Sequence, residues 1–175
     1  MAMQHLIDLG HRRIAYINGP SDLFSSNERY RAYQDCMKQY GFPVSAGLVQ
    51  EGINSIESGY VTARAVFSAN PDVTAFFVVA DLMAIGVINA VKDLGFSVPE
   101  DISVVGFDNI PIGKQFTPAL TTIDQHIRKK ARTGVELLLD LMEDRPVPEK
   151  RTVEVAPTLV VRRSSGPCRR EERCK

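Results

Sequence analysis

The sequence predicts an α/β fold: a doubly wound, mostly parallel sheet with helices on both faces. Three observations carry that expectation. Ala75 to Ala80 is an apolar run rich in Phe and Val, which suits a strand buried on both faces. Behind Asp81, the residues Ala84, Val87, Ile88, Val91 and Leu94 recur at helical spacing along one stripe, and Gly95 offers a left-handed stop. A second apolar strand, Ile102 to Phe107, then runs into Asp108. Strand, helix and strand in this order make a β-α-β unit, which is parallel and crosses right-handed.

The other elements fit around that unit. Met1 to Leu9 reads as a helix in which Leu6 and Leu9 share a face and Gly10 stops the run; with no cap before it, the chain is expected to begin inside an element, as a fragment does. Ile14 to Ile17 is the first strand, broken by Gly19-Pro20. Ser21 to Ser26 is a polar loop, and Ser26 or Asn27 is expected to cap a helix reaching Tyr40. Leu48 to Gln50 is a short strand, Ser55 caps a helix from about Glu57 to Ser68, and Asn70-Pro71 closes it. After the central unit come a loop from Ile110 to Ala119, an extended piece from Leu120 to Ile123, and a helix from Gln125 to Glu143. That helix carries Ile127, Ala131, Val135, Leu138, Leu139 and Met142 on one stripe. Two short strands, Thr152 to Val155 and Thr158 to Val161, flank Pro157, and the polar tail from Ser164 onward is expected to be disordered.

Composition bounds the function. A chain of 175 residues with 44% hydrophobic residues, 24% charged residues and zero net charge makes one domain without an electrostatic bias toward nucleic acid or membrane. No apolar run approaches the roughly 18 residues of a membrane helix, and the N-terminus lacks a signal-peptide core. Three cysteines, two of them in the last eight residues, do not make a disulfide framework, so a cytoplasmic setting is expected. There is no Gly-rich phosphate turn, no nucleophile elbow and no metalloprotease motif. His5, His11 and His126 are scattered, and no metal or cofactor is expected.

In doubly wound sheets ligands bind beyond the carboxyl ends of the strands. Those ends can be read here as the loop from Gly19 to Arg29, the loop from Glu51 to Ser55, Ala80-Asp81 and Asp108-Asn109. They bring Ser25, Asn27, Arg29, Asn54, Asp81, Asp108 and Asn109 to one crevice. A guanidinium with carboxylates and amides suits a neutral, hydroxyl-rich ligand such as a sugar, because fixed donors and acceptors can meet each hydroxyl. For Asp81 a structural helix cap is the stronger reading than a ligand contact. For Arg29 a surface salt bridge and a ligand clamp weigh equally.

Several motifs then carry a resemblance. HLIDLGHRRIAYINGP, NERYRAY, ESGY, TAFFVVADLMAIG, VPEDISVVGFDN, FTPALTTIDQ and LVVRRSS, in this order across about residues 3 to 165, resemble the LacI/GalR family of bacterial transcription repressors. The resemblance implies a core like that of periplasmic sugar-binding proteins, with two lobes, a hinge of three crossovers and an effector in the cleft. It matches Arg29 to the arginine that clamps effector and Asp108, in the Gly-aromatic-Asp motif, to the acceptor of effector hydroxyls or amines. Ser25 falls in a loop that adds a polar contact. Asn54 stands where several relatives have an aromatic platform and Ala80 where some have asparagine; these departures tell against purine or lac-type galactoside specificity and imply a more polar ligand, or one held by fewer contacts.

By the same resemblance, residues 1–165 are an effector-binding domain, mainly its C-terminal lobe. About 125–155 belong to an N-terminal lobe otherwise missing, and 166–175 form a disordered tail. The implied partners are a sugar-like effector, a second copy of the chain and, through a helix-turn-helix absent here, operator DNA. Met83, Ile85 and the loop Gly113 to Phe116 are the expected dimer contacts. The stripe of the Gln125 helix is expected to fold back on its own lobe, swap into a neighbour or be disordered. Two other classes remain open: a solute-binding protein of a sugar importer, and an enzyme, for which no nucleophile–base pair is visible.

Overall fold

The structure, a computed structural model, describes all residues except 46, 144, 147–151 and 170–175. The elements run α1 (Ala2–Asp8), β1 (Ile14–Asn18), α2 (Phe24–Gln39), β2 (Val49–Glu51), α3 (Ile56–Ala69) and β3 (Ala75–Val78). They continue with α4 (Asp81–Asp93), β4 (Ser103–Phe107), α5 (Pro111–Gln115), β5 (Thr121–Asp124), α6 (Ile127–Met142) and β6 (Thr158–Val160). The sheet order is β2-β1-β3-β4-β5-β6; β1 to β5 are parallel and β6 closes the edge antiparallel. The α/β doubly wound reading of the sequence therefore holds.

The order fixes the layers. The chain steps from β1 out to β2 through α2, then returns over β1 to β3 through α3 and moves on to β4 through α4. Right-handed crossovers taken in opposite directions lie on opposite faces. Accordingly α1 packs with α2, and α3 packs along α4. The reversal falls between β1 and β3, whose residues are almost all buried.

The α3–α4 packing is close because both helices present glycine at the crossing. A Cβ on Gly59 would run into the Met83 carbonyl, and one on Gly86 would run into the Ile56 carbonyl. This is also why the expected dimer contacts fail in part: Met83 is 0% and Ile85 2% exposed, covered within the chain.

Other departures have local causes. Helix α2 starts at Phe24 with Leu23 at its N-cap and no side-chain cap. Ser26, expected to cap, is buried, and Asn27 instead donates to the Ser21 carbonyl. Ser55 does cap α3, accepting from Ser58 N at 3.1 Å. The loop after β4 contains the short helix α5, entered through Pro111 at its first turn, where a missing N–H costs nothing. Residues 152–157 form no strand, whereas 158–160 pair with β5.

The segment after Ser164 is not loose where it is described. Ser164 is fully buried, donates to the Val104 carbonyl and accepts from Thr121 N. Gly166 N donates to Ser103 Oγ, and Cys168 N donates to Leu9 O. Its anchor is His11, 1% exposed, whose ring nitrogens meet Thr74 Oγ1, Ser103 Oγ and the Gly166 carbonyl. Cys36 is a free thiol, while Cys168 is disulfide-bonded, a pairing that the cysteine count did not lead one to expect. The rest of the expected disordered tail, 170–175, lies outside the described residues.

Helix α6 also departs from expectation. It is formed, and no residue on it is buried. Ile127, Val135, Leu138, Leu139 and Met142 are all exposed, so the stripe does not fold back onto its own lobe.

Candidate functional site

The site begins with the aromatic floor under α2. Tyr16 of β1 stacks with Tyr33 at 4.9 Å and Tyr30 at 5.9 Å between ring centroids. Tyr33 Oη donates to the Ile14 carbonyl at 2.9 Å. These contacts lock α2 against the sheet and fix the position of Arg29, one residue before Tyr30. The Arg29 guanidinium lies over the Phe107 ring, 4.0 Å from its centroid. Such a contact is worth about 0.5–2 kcal/mol and holds the fork of donors in place. Among the described residues no ion pair takes up those donors.

Asp108 follows Phe107 at the end of β4. It is half-buried and accepts from Gln125 Nε2 at 2.6 Å. Burial raises its pKa, opposed by the Gln125 hydrogen bond and the charge of Arg29. The carboxylate therefore sits within the field of Arg29.

Arg29, Asp108, Ser25 and Asn54 line a single cavity of about 150 Å³, with Gly19, Ser26, Val79, Ala80 and Met83. Its walls are the loops after β1, β2, β3 and β4, and it lies over the reversal of strand order between β1 and β3. That is where an open α/β sheet leaves a crevice, because the connections diverge to opposite faces. Four sequence-predicted residues thus meet at one place.

Asp81 does not join them. It was expected to be a helix cap or a ligand contact. Its side chain is fully buried, Ala80 is the N-cap residue, and no side-chain bond caps α4. The carboxylate points across the sheet end instead, accepting from Thr122 Oγ1 at 2.6 Å and Ile110 N at 2.8 Å. Burial raises its pKa to about 6, against those two bonds.

Asn109 is also engaged by its own chain: its amide donates to Asp124 Oδ2 at 2.9 Å and accepts from Arg162. Asp124 in turn accepts from His126 N at 2.7 Å, setting the left-handed His126 (φ 53°) that opens α6. Asn27, bonded to Ser21, does not line the cavity. Sequence reasoning missed two residues, Phe107 and Gln125. Phe107 was legible only as the last apolar residue of a strand, and nothing local told that Arg29 would cover it.

A family description, the periplasmic binding protein-like domain, matches residues 3–165. The chain is 34% identical over 164 residues to the HTH-type transcriptional repressor PurR of Photobacterium profundum, covering 94% of this chain and 49% of that protein. It is similar in structure to the dimeric lac repressor with an 11-residue C-terminal deletion: TM-score 0.87, 30% identity, 95% of this chain and 60% of that one. A transcriptional regulator CelR–cellobiose complex gives a TM-score of 0.80 at 32% identity, covering 93% of this chain and 50% of that one. The chain spans about half the length of the relatives it matches.

Proposed function

The chain belongs to the periplasmic binding protein-like family, in its LacI-type regulator branch, and from that premise we propose that it is the effector-binding and dimerisation part of a bacterial transcriptional repressor. The effector is a sugar-like small molecule that modulates operator affinity. One observation carries this reading: Arg29 and Ser25 from the start of α2, Asn54 from the loop after β2 and Asp108 from the loop after β4 converge on one cavity at the reversal of strand order. Arg29 offers a fork of donors and Asp108 only acceptors, so a ring of hydroxyls can bridge them. The cellobiose held by a structural neighbour supports a sugar over a purine.

The mechanism is differential binding. Effector favours one arrangement of two lobes, and that arrangement changes operator affinity in the dimer. The role given to the cavity is binding of effector. The setting is cytoplasmic, and no described helix is long and apolar enough to cross a membrane. With Met83 and Ile85 covered and Gly113 buried, Lys114, Gln115 and Phe116 remain of the expected dimer contacts, and Ile112 beside them is 47% exposed. DNA is read through a helix-turn-helix and not through this domain, whose sequence has zero net charge.

The test uses a protein of the relatives' length carrying this domain and its operator fragment. Cellobiose and a panel of mono- and disaccharides should shift operator affinity, and Arg29→Ala should abolish the shift while leaving operator binding intact. No shift with any of the sugars, or a shift of wild-type size kept in Arg29→Ala, would contradict the reading. The 175-residue chain alone should give no sequence-specific footprint and should sediment as a dimer at high micromolar concentration.

A further inference from the structure

One buried carboxylate has no part in capping or in the cavity. Asp81 neither caps its helix nor reaches the cavity, yet it is fully buried and precisely bonded. We propose that Asp81 is a positioning residue for Asp108, acting by holding the peptide groups that follow it. This inference rests on the reading of Asp108 as an effector anchor.

The geometry runs as a short chain of contacts. Asp108 and Asn109 have φ of 113° and 55°, conformations that side-chain-bearing residues seldom adopt. Such a pair persists only where the surroundings over-determine it. The Asp81 carboxylate receives the next amide, Ile110 N, on one oxygen and Thr122 Oγ1 on the other. Thr122 Oγ1 in turn accepts from Asn109 N at 3.3 Å. Both amides after Asp108 are thereby drawn to one Asp81–Thr122 pair, while Asp108 N itself donates to the Ile123 carbonyl. Gly106 completes the arrangement, since a Cβ there would strike the Asp81 carboxylate. The turn that aims Asp108 toward Arg29 is thus set from behind, by residues the ligand never touches.

Hydrogen exchange on the 175-residue chain, and sugar titration of a protein of the relatives' length that carries it, separate the claims. In Asp81→Ala the Asn109 and Ile110 amides should exchange about ten-fold faster, while amides of α4 and β4 keep their protection. Asp81→Asn, which retains an acceptor oxygen, should restore much of the Ile110 protection. Should Asp81→Ala fail to fold, Thr122→Val removes only the bridge to Asn109 and should release that amide alone. Unchanged exchange at Asn109 and Ile110, or a uniform rise across α4 and β4, would overturn the positioning role. Titration with cellobiose is read in parallel: wild type that binds no sugar counts against the effector reading, whereas the amide readout still decides the role of Asp81. A wild type that binds, with Asp81→Ala binding equally well, sinks the positioning claim by itself.

Discussion

Arg29 and Asp108 divide the work of the site by their chemistry. Each approaches its ligand with charge, and a hydrogen bond to a charged group contributes about 1.5–3 kcal/mol, or about ten-fold or more in affinity. Arg29→Ala and Asp108→Ala should each weaken sugar binding on that scale in calorimetry. The melting temperature should stay nearly unchanged, since both side chains are only partly buried. Asp81 should behave otherwise, and its titration gives the sign. Its pKa in the folded chain is raised from 3.8 to about 6, so its contribution to stability is present below the lower value and is lost as pH rises through the upper one. His11 runs the opposite way: burial lowers its pKa from 6.5 to about 4, so its contribution is present above 6.5 and lost as pH falls through 4. The two oppose each other between about pH 4 and 6. Urea midpoints should therefore vary little there in the wild type, and Asp81→Asn should uncover a steeper loss of stability toward acid. A flat profile in that variant would count against the buried histidine as the opposing group.

At the scale of elements, the sharpest contrast lies between α4 and α6. Ile88 on α4 is fully buried, and truncating such a residue to alanine costs about 2–5 kcal/mol. Leu138 on α6 is 57% exposed, and Leu138→Glu should change the stability of this chain by less than about 0.5 kcal/mol. Denaturant unfolding of the two variants measures both. Gly86→Ala should be costly despite the better helix propensity of alanine, because its Cβ meets backbone on α3; overpacking costs about 1–3 kcal/mol. The sequence showed α4 plainly, since its stripe, its glycine stop and the strands on either side are local signals. The amphipathic pattern of α6 was equally legible, but what covers it was not: periodicity tells which face is apolar, never whether a neighbour is there to meet it. Ser25, Arg29, Asn54 and Asp108 could be gathered because each follows a readable strand end. The direction of Asp81 could not, because its partners Thr122 and Ile110 lie far along the chain. The bonds of Ser164 and Gly166 were hidden for the same reason, behind a composition that reads as loose tail.

Across the whole molecule, the arrangement is a rigid sheet carrying its binding groups on one rim. The strands β1 and β3 supply the buried centre, the crossovers diverge around them, and the opening left between is lined by side chains from loops on both sides. At the opposite rim, His11 ties the segment through Gly166 to the starts of β3 and β4. That division separates stability from binding, which is why substitutions at Arg29 and at His11 should have different readouts. The claim that matters most is the location of the effector. Titration of an isotopically labelled protein of the relatives' length that carries this domain, with cellobiose and related neutral sugars, followed by amide and side-chain resonances, tests it most directly. The account predicts shifts concentrated at Ser25, Arg29, Asn54 and Asp108, abolished in Arg29→Ala. No response to any of the sugars, or shifts centred on the groove around Arg64, Phe67 and Phe96, would contradict it.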